Sequence, residues 1–147
     1  MNEEIKKGRI LTLSIDIDRY KLQLTNIYGP NKTKKRELFY AKVENYIKPD
    51  ADVVLGGDFN MVLDPIQDRT GKIYKEHTKG HKNLTKILQA HGLQDAWDSS
   101  LQKTKGHTWQ NNTITSRLDR IYVPADKIQA YPASTFMTVI PFTDHQM

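Results

Sequence analysis

Residues 51–60 read Ala51-Asp52-Val53-Val54-Leu55-Gly56-Gly57-Asp58-Phe59-Asn60, a short apolar run closed by two glycines, a carboxylate, an aromatic and an amide. Pro49 bounds the run on one side and the glycines on the other, so it is too short for a helix and reads as a strand buried on both faces. Asp58 and Asn60 then stand two apart on a turn whose glycines permit close backbone approach. That arrangement suits the holding and polarising of one water. A glycine turn in which Asp and Asn make only local turn bonds fits the same residues.

Working outward, Leu11, Leu13, Ile15 and Ile17 alternate with Thr12, Ser14, Asp16 and Asp18, the pattern of a half-buried strand. A turn at Asp18-Arg19 leads into a second alternating run, Tyr20, Leu22 and Leu24, which closes at Asn26-Ile27-Tyr28 and completes a hairpin. Gly29-Pro30 punctuates the chain. Thr33 is the expected N-cap of a helix over about residues 34–47, with Phe39, Val43, Tyr46 and Ile47 on one stripe. After an irregular loop over residues 59–78, a second amphipathic helix covers about residues 82–91, with Gly92 just beyond its end. Thr108-Trp109 and residues 117–123 read as strands around the loop 110–115, and residues 136–140 as a final strand. Hairpins mixed with helices between strands indicate an α/β (α+β) sheet with helices on it.

Composition sets the outer bounds. The chain has 147 residues, 37% of them hydrophobic, and no cysteine, which excludes disulfides, thiolate zinc sites and cysteine nucleophiles. No stretch approaches the roughly 20 apolar residues of a membrane span, and the first residues carry no signal-peptide pattern. The chain therefore reads as a soluble intracellular domain without a membrane partner. Twenty-two Lys and Arg against seventeen Asp and Glu leave +5, and the pI is near 9.3, which favours an anionic partner. Between Arg69 and His91 there are six cations and one anion, Glu76. A smaller cluster comprises Lys32, Lys34, Lys35 and Arg36.

Beyond the 56–60 turn, three other segments carry polar residues at strand ends. They are Asn26-Ile27-Tyr28-Gly29-Pro30-Asn31, Ser116-Arg117-Leu118-Asp119, and Thr143-Asp144-His145. Each has a plain reading: a tyrosine before a turn, a cross-strand ion pair at Asp119, a polar terminus. Taken together and in this order, with Thr108-Trp109, the segments resemble the exonuclease–endonuclease–phosphatase superfamily. More narrowly, they resemble the apurinic-type endonuclease domain of non-LTR retrotransposons. The resemblance runs from about Gly8 to His145.

The resemblance implies a four-layer αββα sandwich and a Mg²⁺-dependent DNA endonuclease that hydrolyses a phosphodiester and nicks a strand. Asp58 would act on the attacking water, and Asn60 would hold that water and the scissile phosphate. Tyr28 would donate to a phosphate oxygen. Asp144 matches the metal-ligand position. His145 would face the phosphate, held and kept protonated by Asp119. Trp109, Asn112 in the loop 110–115, Ser116 and Arg117 would contact DNA. Asp58 is expected to be ionised, because a nearby metal and Lys/Arg favour the carboxylate. DNA is the implied partner, together with the reverse transcriptase region of a parent polyprotein, and the nucleus is the implied place of action.

Two expected elements have no counterpart in the sequence: an asparagine ending the family's first strand, and a glutamate ending the next, usually the main metal ligand. Glu3 and Glu4 precede a charged, unpatterned stretch and do not replace it. Residues 1–147 thus read as a partial domain, incomplete at its amino-terminal side, with weak or no nicking expected of the chain alone. A superfamily phosphatase for small phosphoesters and a non-catalytic nucleic-acid-binding remnant are the alternatives.

Overall fold

The computed structural model describes residues 8–72, 74–97, 106–130 and 144–145. The strand expected at 136–140, like Thr143, Glu3 and Glu4, lies outside the described residues. Ile10–Ile17 (β1) and Tyr20–Tyr28 (β2) form the expected hairpin, with Ile17 opposite Tyr20. Asp18 takes φ 54 in the turn, a left-handed conformation that short polar side chains tolerate best. Thr33–Val43 (α1), extended by a 3-10 turn at Glu44–Tyr46, carries the chain over to Asp52–Asp58 (β3), which pairs parallel with β2. Lys32, not Thr33, occupies the N-cap position and makes no side-chain cap bond, so Thr33 lies inside the helix.

His81–Ala90 (α2) leads into Leu93–Asp95 (β4). Trp109–Gln110 (β5) and Thr115–Ser116 (β6) form a small separate ladder, and Asp119–Pro124 (β7) returns to the main sheet. That sheet has the order β1-β2-β3-β7-β4 and is mixed: β2 and β3 are parallel, and the other pairs are antiparallel. A mixed sheet with two helices is the α/β architecture expected from the sequence.

Residues of both helices share one core with one face of the sheet. Phe39, Tyr40, Val43, Leu84 and Ile87 are buried with Ile27, Val53, Leu55 and Tyr122, each large apolar side chain contributing about 1.5–3 kcal/mol. The same face of β2 carries Gln23, which is fully buried yet satisfied. Its Nε2 donates to the Tyr46 carbonyl at 2.6 Å and its Oε1 accepts the Lys48 amide at 2.6 Å.

The opposite face corrects two expectations. Leu11, Leu13, Ile17 and Ile121 are 71%, 56%, 58% and 55% exposed, so β1 alternates as expected but its apolar side is open among the described residues. Val54, on the same face, is only half-buried. β3 is therefore buried on one face and not on both, because both helices pack on the other side.

The glycines of residues 56–57 have a specific use at Gly57. Its φ is 126, and a β-carbon there would fall on the Ile27 carbonyl oxygen, so only glycine lets β2 and β3 pair at this point.

Candidate active site

The strand register builds the site. Tyr28 at the end of β2 lies opposite Asp58 at the end of β3, and Asp58 lies opposite Asp119 at the start of β7. Three chemistry-bearing residues thus share one row across three neighbouring strands. The row sits at the carboxyl ends of two parallel strands, where open sheets leave a crevice.

The turn at 58–60 is anchored from below. Phe59 is fully buried, stacked at 6.2 Å on Tyr40 and edge-on at 5.3 Å to Tyr122. Its carbonyl accepts the Tyr40 hydroxyl at 2.8 Å, and its amide donates to the Leu118 carbonyl at 2.8 Å. Asn60, at φ 50, turns back on Asp58: its backbone N–H donates to Oδ1 and its Nδ2 to Oδ2, both at 2.8 Å. Nδ2 also donates to the Gly29 carbonyl at 2.9 Å. The local Asp–Asn turn bonds and the site geometry are therefore one arrangement.

His145 Nδ1 lies 3.0 Å from Asp119 Oδ2, the expected carboxylate–imidazole contact. Asp58, Asp119 and His145 each offer a ligand atom within 4.8 Å of the others. Asp144 stands apart from that trio: its Oδ2 accepts the Trp109 indole N–H at 2.6 Å, and its carbonyl accepts the Gln110 amide at 3.0 Å. A cavity of about 480 Å³ is lined by Tyr28, Asp58, Asn60, Trp109, Asp144 and His145, and also by Arg36, Arg69 and His77.

Burial pushes the Asp58 carboxyl up to about 6, and Asp119 and Asp144 push the same way, while the Asn60 amide and His145 pull it down. The expected help from Lys and Arg is absent among these causes, yet a carboxyl at about 6 is still mostly ionised at neutral pH. Burial dominates, and the charged groups that act on it are Asp119, His145 and Asp144.

Two expected DNA contacts are also corrected. Ser116 is fully buried, and its hydroxyl accepts Arg69 Nη1–H at 2.7 Å. Arg117 bridges Asp68 at 3.0 Å and Asp95 at 2.9 Å, with its side chain only 12% exposed. Both side chains are thus engaged by protein partners. Asn112 is exposed at the tip of the 110–115 loop and does not line the cavity.

Three residues gain roles that the sequence did not suggest. Asp68, fully buried, receives Arg117, Arg120 and the amides of Leu63 and Asp64. Burial alone would raise its carboxyl, but Arg120, the Asp64 amide and Arg117 overcome that and hold it below its usual range. Thr108 Oγ1 accepts the Leu118 and Asp119 amides at 3.1 and 3.0 Å and so pins the start of β7. Arg36 is buried rather than part of a solvated lysine cluster. A lone Asp in an irregular loop carries no periodic signal, so Asp68 was visible only as composition.

The sequence profile of the Endonuclease/Exonuclease/phosphatase family matches residues 7–145. The chain belongs to this family. Its members are endonucleases, exonucleases and phosphatases, which hydrolyse phosphate esters. A curated relative, the Transposon TX1 uncharacterized 149 kDa protein of Xenopus laevis, is 28% identical over 145 residues, covering 94% of this chain and 11% of the relative.

Solved structures share the family fold. An AP endonuclease from Archaeoglobus fulgidus superposes with a TM-score of 0.70 at 16% identity, over 94% of this chain and 62% of that one. The endonuclease domain of TRAS1, a telomere-specific non-LTR retrotransposon, gives 0.57 at 16% identity, over 97% and 61%. The 3′-5′ exonuclease NExo of Neisseria meningitidis gives 0.62 at 17% identity, over 92% and 62%. The chain spans about a tenth of the curated relative and about three fifths of these structures.

Proposed function

We propose that residues 1–147 are part of the endonuclease domain of a retrotransposon-like protein, a Mg²⁺-dependent enzyme that nicks DNA by phosphodiester hydrolysis. The observation that carries this reading is the row Tyr28–Asp58–Asp119, with His145 against Asp119 at the wall of the cavity.

The donor set fits a small, hard dication. Mg²⁺ is usually held by one or two carboxylates, with water and phosphate oxygens completing its shell. Asp58 and Asp119 bring two carboxylates within reach of one another, and Asp144 is close enough to raise Asp58 further. A cation among them relieves that repulsion. When bound, it supplies positive charge to the non-bridging phosphate oxygens and to the leaving oxygen.

The chain's own residues account for the rest. Asp58 takes a proton from the attacking water, and its raised basicity suits that task near neutral pH. Asn60 holds Asp58 in place through both carboxylate oxygens. Asp119 accepts a hydrogen bond from His145 Nδ1, which leaves Nε2–H to donate to a phosphate oxygen. Tyr28 donates to another. Water oxygen bonds to phosphorus, the ester P–O bond breaks, and the leaving oxygen takes up a proton.

Because a metal would compete with the Asn60 and His145 bonds to Asp58 and Asp119, we expect weak metal affinity and slow nicking by this chain. Asn112 at its exposed loop tip and Trp109 beside the cavity are the proposed DNA contacts, with Lys72, Lys82 and Lys86 meeting backbone phosphates. A reverse transcriptase region in the same polyprotein and action in the nucleus belong to the same reading.

The test is relaxation of supercoiled plasmid with protein in excess, with and without Mg²⁺. Metal-dependent nicking that disappears in Asp58→Ala supports the proposal. Nicking that persists in Asp58→Ala sinks it. Release of phosphate from small phosphoesters with no DNA cleavage would select a phosphatase instead.

A further inference from the structure

Two pairs of arginines near the site are partnered in two different ways. Arg117 and Arg120 meet the carboxylates of Asp68 and Asp95. Arg36 and Arg69 meet none among the described residues. Arg36 is 4% exposed, and its guanidinium donates only to backbone carbonyls: Nε to Lys79 at 2.8 Å, Nη1 to Asn60 at 2.6 Å and Asn31 at 3.5 Å, and Nη2 to Glu76. Arg69 donates Nη1 to the Ser116 hydroxyl at 2.7 Å and Nε to the Lys72 carbonyl at 3.2 Å. Carbonyl and hydroxyl dipoles stabilise a guanidinium but leave its net charge in place.

His77 belongs with them. Its Nδ1 accepts the Tyr74 amide at 3.1 Å, so the neutral ring carries its hydrogen on Nε2. Burial holds the imidazole below its usual range, Arg69 and Arg36 add to that, and Glu76 opposes it. Arg36, Arg69 and His77 all line the cavity that also holds Asp58, Asp144 and His145. Part of the cavity lining is therefore acidic, and part carries two guanidiniums that meet no carboxylate among the described residues. Desolvated charge of one sign is unfavourable unless an opposite charge enters.

We infer that Arg36, Arg69 and His77 form a subsite for a second phosphate of a polynucleotide, next to the phosphate being hydrolysed. The inference rests on the DNA-cleavage reading above. A small phosphomonoester offers one phosphate, and the Asp58–His145 cluster engages it. A polynucleotide offers the second. Arg69 and His77 Nε2 supply donors to its oxygens, while Arg36, its donors already bonded to carbonyls, supplies field.

The experiment is binding of a labelled DNA duplex in metal-free buffer, followed by fluorescence anisotropy over a range of salt. Arg69→Gln and His77→Gln are the variants, both at partly exposed positions, with folding checked by urea unfolding. Arg69→Gln is expected to weaken binding about tenfold, as for a lost hydrogen bond to a charged group. It should also reduce the slope of log affinity against log salt by about one. His77→Gln weakens binding without that change in slope. Lys21→Gln, which breaks an exposed pair with Asp50, changes neither quantity.

Replacing backbone phosphates one at a time by neutral methylphosphonates then locates the contact. One position should weaken the parent chain and leave Arg69→Gln unaffected. If both variants bind like the parent with the same slope, or if no position distinguishes Arg69→Gln from the parent, the subsite is wrong and the DNA reading stands. If the parent binds no duplex, both fall.

Discussion

The Asp58 carboxylate is held by Asn60 through both oxygens, sits among two other carboxylates, and titrates near 6 against an ordinary 3.8. Folded chains therefore keep its proton to a higher pH than unfolded ones. Between about pH 4 and pH 6 the folded state binds more protons, so this residue's contribution to stability falls as pH rises and the full penalty is in place above pH 6. In metal-free buffer the parent chain should therefore lose about 1–3 kcal/mol of stability between about pH 4 and pH 6, read from urea midpoints, and Asp58→Asn should remove this pH dependence. Mg²⁺ should raise the melting temperature of the parent chain and raise that of Asp58→Asn less, since a ligand stabilises only the state it binds. At this scale the sequence was most legible where residue type alone carries the chemistry, as at Tyr28, Asp58, Asp119 and His145. It misled at Ser116 and Arg117, because a polar residue in a motif says nothing about whether a buried partner has claimed it. Here those partners are Arg69, Asp68 and Asp95.

Elements were legible where periodicity was strong. Residues 81–90 follow helical spacing with buried Leu84 and Ile87, and the structure places the helix within a residue of the expected start and end. The strand read at Thr108-Trp109 overlaps β5, but its partner β6 and the hub at Asp68 were not legible, since a two-residue strand and an ion-pair network leave no period. That hub ties the 63–68 loop to the start of β7 and, through Asp95, to the end of β4. Asp68→Ala would leave Arg120 buried with one carboxylate fewer, and should lower stability by about 3–5 kcal/mol in chemical denaturation. Its carboxyl is held below the usual range, so its contribution is present at neutral pH and fades as pH falls through that lowered value, opposite in sign to Asp58. At the β2–β3 contact, Gly57→Ala combines a left-handed φ with a collision at Ile27. It should cost at least about 3 kcal/mol and greatly reduce the yield of folded protein.

For the whole molecule, the run at 51–60 pointed wrongly to burial on both faces, whereas a sheet with helices on it followed from the hairpin pattern and the helical spacing. Which face would be covered did not, because alternation marks two faces of a strand without naming the buried one. Gln23 and Thr25 took the covered side of β2, and Leu22 and Leu24 the other. The open face, with Leu11, Leu13, Ile17 and Ile121 exposed, is the kind of apolar surface that drives association. Sedimentation should show self-association that grows with concentration and that Leu13→Lys reduces, with Mg²⁺ affinity unchanged.

The row of Tyr28, Asp58 and Asp119 also bears on how the protein comes into being. Its three members come from stretches far apart in the chain and meet only when β2, β3 and β7 have paired. Pairings of that kind carry high contact order and form late, after the loop-closure entropy has been met. A refolding chain should therefore gain helix signal before it gains any capacity to bind metal. In a stopped-flow experiment the site would appear as a single slow event, with no partly competent enzyme along the way.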